Sequence, residues 1–93
     1  MQISEMKSGQ SYACKFRVHT FVDENNNPKD TKNLNIGETI TDAAPGIYTG
    51  FGAISKRDAD KQLLEIVDLD HPGFTWTVSW SDVWDVDTLE YTD

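Results

Sequence analysis

Three groups of residues in this chain of 93 are of types that do chemistry. Cys14 and His19 are a nucleophile and a base, a pair that works only when thiol and imidazole lie within hydrogen-bond reach. On an extended strand the two fall on opposite parities, so their side chains leave opposite faces. Cys14 shares its parity with Tyr12, Phe16, Val18 and Val22, and a thiol on an apolar face is inert. Asp68, Asp70 and His71 cluster at one point of the chain, and Asp82, Asp85 and Asp87 at another. Oxygen donors in a loop suit calcium, but neither spacing matches the EF-hand loop. His19 is too remote in sequence to complete a zinc set with His71. Turn-forming aspartates account for both clusters. Paired carboxylates for acid–base work need a cleft, whereas these acids alternate with apolar residues as solvent-facing carboxylates do. Phosphate-loop, dinucleotide-binding and HExxH motifs are absent from the sequence. The expectation is a chain that is not an enzyme, with no catalytic residues, no metal and no cofactor.

The aromatic residues are more informative. There are three Trp, three Tyr and four Phe, more than a small core holds. Phe16, Trp76 and Trp80 lie on apolar parities and are expected to pack inside. Tyr48, Phe51, Trp84 and Tyr91 are expected at the surface. Trp84 lies between Asp82 and Asp85, and Tyr91 follows Glu90. An aromatic ring beside carboxylates anchors Arg or Lys through cation–π contact and ion pairing. The candidate binding set is therefore Asp82, Trp84, Asp85, Asp87, Glu90 and Tyr91, with Tyr48.

Charge points the same way. The net charge is −8, from sixteen acidic and eight basic residues. All eight Lys and Arg fall within 1–61, balanced there by eight acids, so the whole imbalance lies in 62–93. A general phosphate-binding surface needs clustered cations, which excludes direct nucleic-acid binding by charge alone. A basic protein surface is the partner this composition fits. One cysteine excludes an internal disulfide. No apolar run approaches the ~20 residues of a membrane span, and MQISEMKSGQ lacks the apolar stretch of a signal peptide. A single domain over 1–93, without membrane contact and cytoplasmic, is expected.

The elements that must position these residues read as strands. Residues 11–22 alternate with period two, with Phe21 breaking the pattern near the end. Residues 23–35 (DENNNPKDTKNLN) form a long polar loop. A short strand follows at 36–41. Residues 42–46 (DAAPG) make a turn, and 47–56 a strand whose Gly50 and Gly52 share a parity with Tyr48 and Ile54, marking close backbone approach. A turn at 58–61 leads into 62–69, near-continuously apolar as in a central strand. Asp70-His-Pro-Gly73 is a strong turn. Phe74, Trp76, Val78 and Trp80 then alternate with Thr75, Thr77, Ser79 and Ser81. A 3₁₀ turn over 81–84 and a last strand over 84–89 close the chain. A helix has tolerable propensity only at 57–66, where a hairpin fits better. The fold class is all-β, with five to six antiparallel strands.

This order of elements resembles an SH3-like small barrel, over roughly residues 8–89. The segment Gly46-Ile-Tyr-Thr-Gly-Phe-Gly-Ala-Ile54 is similar in spacing to the glycine-and-isoleucine strand of KOW and Tudor-type barrels. The chain departs from peptide-binding SH3 domains: its first strand reads Tyr-Ala-Cys-Lys-Phe, its tryptophans are separated, and Ser81-Asp82-Val83-Trp84 holds no Pro. An OB-like barrel is the alternative fold. The resemblance implies a binding module, in which Trp84 either plugs the barrel end or faces a partner. The alternatives are an acidic nucleic-acid mimic, virally encoded and acting in a host cytoplasm, and a structural subunit of a larger assembly, with monomer and homo-oligomer both open.

Overall fold

The computed structural model describes residues 1–29, 37 and 42–89. The expected strand at 36–41, the distal part of the 23–35 loop, and Glu90 and Tyr91 lie outside the described residues, Gly37 apart. The described chain is all-β. Its strands are β1 (Tyr12–Val22), β2 (Ala44–Asp58), β3 (Leu63–Asp68), β4 (Thr75–Ser79) and β5 (Val83–Thr88). They form one sheet in the order β4-β3-β2-β1-β5, with β4 and β5 at its edges and not closed on itself. The β2–β3, β3–β4 and β1–β5 pairs are antiparallel. Short 3₁₀ turns occupy Ile3–Glu5 and Trp80–Asp82.

By contacts the chain divides into two compact units. The first comprises Met1–Arg17 and Thr49–Asp93. Its buried apolar residues are Ile3, Tyr12, Ala13, Cys14, Phe16, Leu64, Ile66, Val78 and Val86. Burial follows the alternation of β3, where Leu64, Ile66 and Asp68 point inward. The β2–β3 hairpin replaces the helix weighed at 57–66. Four residues, 59–62, connect Asp58 to its partner Leu63, and Gln62 takes the left-handed conformation at φ 54°. Asp58 accepts the Lys61 N–H at 3.0 Å and holds that turn. Ser55 is an extra residue in β2 where the register shifts, and its hydroxyl donates to the Glu65 carbonyl at 3.1 Å. The N-terminal segment is tied down as well. Arg57 Nη1 donates to the Ile3 carbonyl at 3.0 Å, and the Lys7 N–H to the Tyr12 hydroxyl at 2.9 Å.

The second unit is Val18–Tyr48. Here the start of the polar loop is a tight turn. Asp23 Oδ1 accepts the N–H groups of Asn25 and Asn27, both at 2.9 Å, and Val22 bridges Pro28. Asn26 supplies the left-handed residue at φ 63°, a conformation Asn tolerates better than most residues. The Asp23 carboxyl is held below its usual range, chiefly by the Asn27 N–H, with Asn25 and Lys29 in support and desolvation opposing. The expected turn over 42–46 is corrected. Asp42 takes the left-handed turn position at φ 62°, and β2 begins at Ala44, so Pro45 and Gly46 are already strand. A proline lacks an N–H but fits an extended backbone at the beginning of a strand.

Candidate functional site

The acidic and aromatic residues of β5 are positioned by a bulge. Along β1 and β5, Ala13 pairs with Asp87 and Lys15 with Trp84, so Asp85 and Val86 together oppose Cys14. Asp85 absorbs the extra residue in a left-handed conformation at φ 52°, which Asp tolerates better than most non-glycine residues. The bulge changes which way side chains point. Regular alternation would put Trp84 and Val86 on one face. Instead Val86 is buried, whereas Trp84 is 39% exposed. Bulges commonly re-aim a side chain in this way. Asp85 and Asp87 are exposed on the same strand. Asp82 ends the preceding 3₁₀ turn, which is capped where the Ser81 N–H donates to Ser79 Oγ at 3.3 Å.

These acids are not a bare negative strip. Arg17 Nε donates to Asp82 Oδ1 at 2.9 Å, and Lys15 Nζ lies 3.5 Å from Asp85 Oδ2. Asp87 Oδ1 accepts the Thr88 N–H at 2.8 Å. Around Trp84, the alternating cations of β1 and the acids of β5 make a mixed-charge rim. Lys15 and Arg17 are exposed on alternate positions of β1 and lie outside the candidate set read from the sequence. Their role depends on the first strand pairing with the last, which no local pattern encodes. The ion pairs are solvent-exposed, and such pairs contribute only about 0–1 kcal/mol each.

Tyr48 is a correction. It was expected at the surface with the binding set, but it is only 2% exposed. Its parity in β2 is that of Gly50, Gly52 and Ile54, and this is the inward face of the strand. Ile47 and Phe51, on the other parity, are exposed. The glycines were the available signal, since they mark the face on which neighbours come close. Trp76 and Trp80, expected inside, are half-buried. Trp76 Nε1 donates to Asp68 Oδ2 at 3.1 Å and Trp80 Nε1 to the Leu63 carbonyl at 3.2 Å.

Asp68 was read as one of several turn aspartates. It is in fact a buried carboxylate, 2% exposed. Its Oδ1 accepts the N–H groups of Asp70 and His71, each at 2.9 Å. His71 Nδ1 lies 3.8 Å from Oδ2. The group organises the Asp70–Gly73 turn from inside. Its parity with Leu64 and Ile66 was the sequence signal that it faces inward.

Cys14 is fully buried, and burial pushes its thiol pKa up to about 11, so it carries little thiolate at neutral pH. The folded chain keeps a proton that an unfolded thiol releases near its ordinary pKa. This contribution to stability is complete below that ordinary value and is lost as pH rises toward the folded one. Between about pH 8 and about pH 10.5, the urea midpoint of the parent should therefore fall more than that of Cys14→Ala. Parallel declines would show that the thiol is not linked to folding.

No protein-family model, curated protein or solved structure matches this chain.

Proposed function

We propose that this chain is a non-enzymatic interaction module that binds a basic protein surface through the Trp84 side of β5. The observation that carries the proposal is the exposed indole of Trp84, turned outward by the bulge at Asp85 and flanked by Asp82, Asp85 and Asp87. An indole beside carboxylates is a combination that receives Arg and Lys. The ion pairs with Lys15 and Arg17 shift the weight of recognition from the carboxylates to the indole. They also favour this reading over a nucleic-acid mimic, which needs unpaired charge at phosphate-like spacing. The order of elements supports an SH3-like barrel as the finer description of the fold. A long first strand leads through a polar connection into hairpin-linked strands, and a single 3₁₀ turn then carries the chain into a last strand beside the first.

The test is capture of a partner at low salt, followed by calorimetric titration of the purified pair. Trp84→Ala should lose about 2–4 kcal/mol of affinity, as a central aromatic anchor does. Asp82→Ala, Asp85→Gly and Asp87→Ala should each lose less than about 1 kcal/mol. Far-UV circular dichroism should match the parent in all four. If Trp84→Ala binds as well as the parent, or one carboxylate outweighs it, the indole is not the anchor.

A further inference from the structure

The two edges of the sheet are built differently. Edge strands present unpaired N–H and C=O groups, and natural proteins blunt them with bulges, charges, prolines or covering segments. β5 has three of these. It carries the bulge at Asp85, the exposed carboxylates of Asp85 and Asp87, and a contact in which the Met1 backbone nitrogen donates to the Val86 carbonyl at 3.1 Å.

β4 has none. It reads Thr75-Trp-Thr-Val-Ser79, without Pro or Gly. Among the five strands described it is the one with no ionisable side chain. The direction of its free groups follows from the ladder with β3. The Asp68 N–H donates to the Phe74 carbonyl and the Trp80 N–H to the Gln62 carbonyl, both at 3.0 Å. Antiparallel alternation between these two bonds turns the backbone groups of Trp76 and Val78 toward β3, and those of Thr75, Thr77 and Ser79 away from it. Among the described residues, no strand pairs with that side.

We propose that this edge binds a second copy of the chain, β4 pairing antiparallel with its counterpart about a two-fold axis at Thr77. Charge selects this occupant. With a net charge of −8, two copies repel unless they meet where carboxylates are absent, and β4 is the strand that allows it. A basic partner, by contrast, finds no counter-charge on β4. The sequence is self-complementary in this register. Thr77 meets Thr77 of the copy, Thr75 meets Ser79, and Trp76 meets Val78 twice over. Thr–Thr and aromatic–β-branched pairs are among those that stabilise antiparallel strands. The interface is isologous and closes at two copies.

Sedimentation velocity from low micromolar to near-millimolar concentration tests this directly. The parent should shift from 10.5 kDa toward twice that mass as concentration rises. Thr77→Lys places a charge on the edge without touching a bond to β3. It should weaken the dimer at least tenfold while keeping the circular dichroism and melting temperature of the dilute parent. Hydrogen exchange gives a readout independent of that variant. The amides of Thr75, Thr77 and Ser79 should slow as the parent is concentrated, and that of Trp76 should not. A parent that stays monomeric throughout overturns the proposal, as does equal dimerisation by Thr77→Lys or concentration-dependent protection confined to other strands.

Discussion

Asp68→Ala is expected to destabilise the fold by about 3–5 kcal/mol, since each buried donor left without an acceptor costs about 1–3 kcal/mol. Asp68 accepts three N–H groups: those of Asp70 and His71 at Oδ1, and the Trp76 indole at Oδ2. Alanine leaves all three without that acceptor. A domain of this length has about 5–14 kcal/mol in total, so the loss is about a fifth or more. The melting temperature should fall by at least about 15 °C. Asp68→Asn is expected to fall between the two. It keeps an oxygen for the two backbone donors but can set an amide N–H against the indole N–H. A denaturation midpoint for Asp68→Ala within about 1 kcal/mol of the parent would mean that the turn re-forms around water.

Gly52→Ala is expected to cost about 3 kcal/mol, the upper end for overpacking. A Cβ at Gly52 would fall on the Cγ2 of Ile66, a fully buried residue, and 2.5 Å from the Val67 carbonyl oxygen. One of these neighbours is backbone held in the β2–β3 ladder and cannot rotate aside, so the strands must separate locally. Gly46→Ala is the matched control. Its new Cβ would meet only Val22 Cγ2, at 2.8 Å, as a close neighbour, and a side-chain end can move. Urea denaturation of the two variants should rank Gly52→Ala well below Gly46→Ala, with unchanged m-values. Equal midpoints would show that β2 and β3 have more room between them than their packing implies.

Both residues show how far the sequence could be read. The strands of the first unit were legible because alternation and breakers coincide: Leu64 and Ile66 alternate inward, and His71-Pro-Gly73 stops β3 before β4 begins. The close approach at Gly52 was also legible, from a glycine within a strand. What depends on residues distant in sequence was not. Asp68 reads like any turn aspartate until the strand parity that carries it inward is followed past Ile66. Tyr48 looks like a surface aromatic until its glycine-bearing parity is seen to be the buried one. The rim around Trp84 needed β1 to pair with β5, because Lys15 and Arg17 lie some 65–70 positions from the acids they meet. Pro45 and Gly46 read as breakers because a single sequence does not reveal that the turn is already made at Asp42.

The bulge at Asp85 bears on how this surface can vary over evolutionary time. The outward aim of Trp84 is set by its place opposite Lys15 and by the bulge that takes up Asp85, not by the identity of either side chain. Loss of the codon for residue 85 would make Trp84 and Val86 neighbours, which regular alternation places on opposite faces, with Trp84 still opposite Lys15 and Val86 opposite Cys14. The indole would stay outward and the valine inward, with the bulge and one carboxylate lost. Point substitutions are filtered separately, because the left-handed backbone admits Gly, Asn and Asp far more readily than other residues. In-frame deletion of residue 85 should thus leave this face in place, and exchange of Asp85 for Gly or Asn is the substitution it should best tolerate.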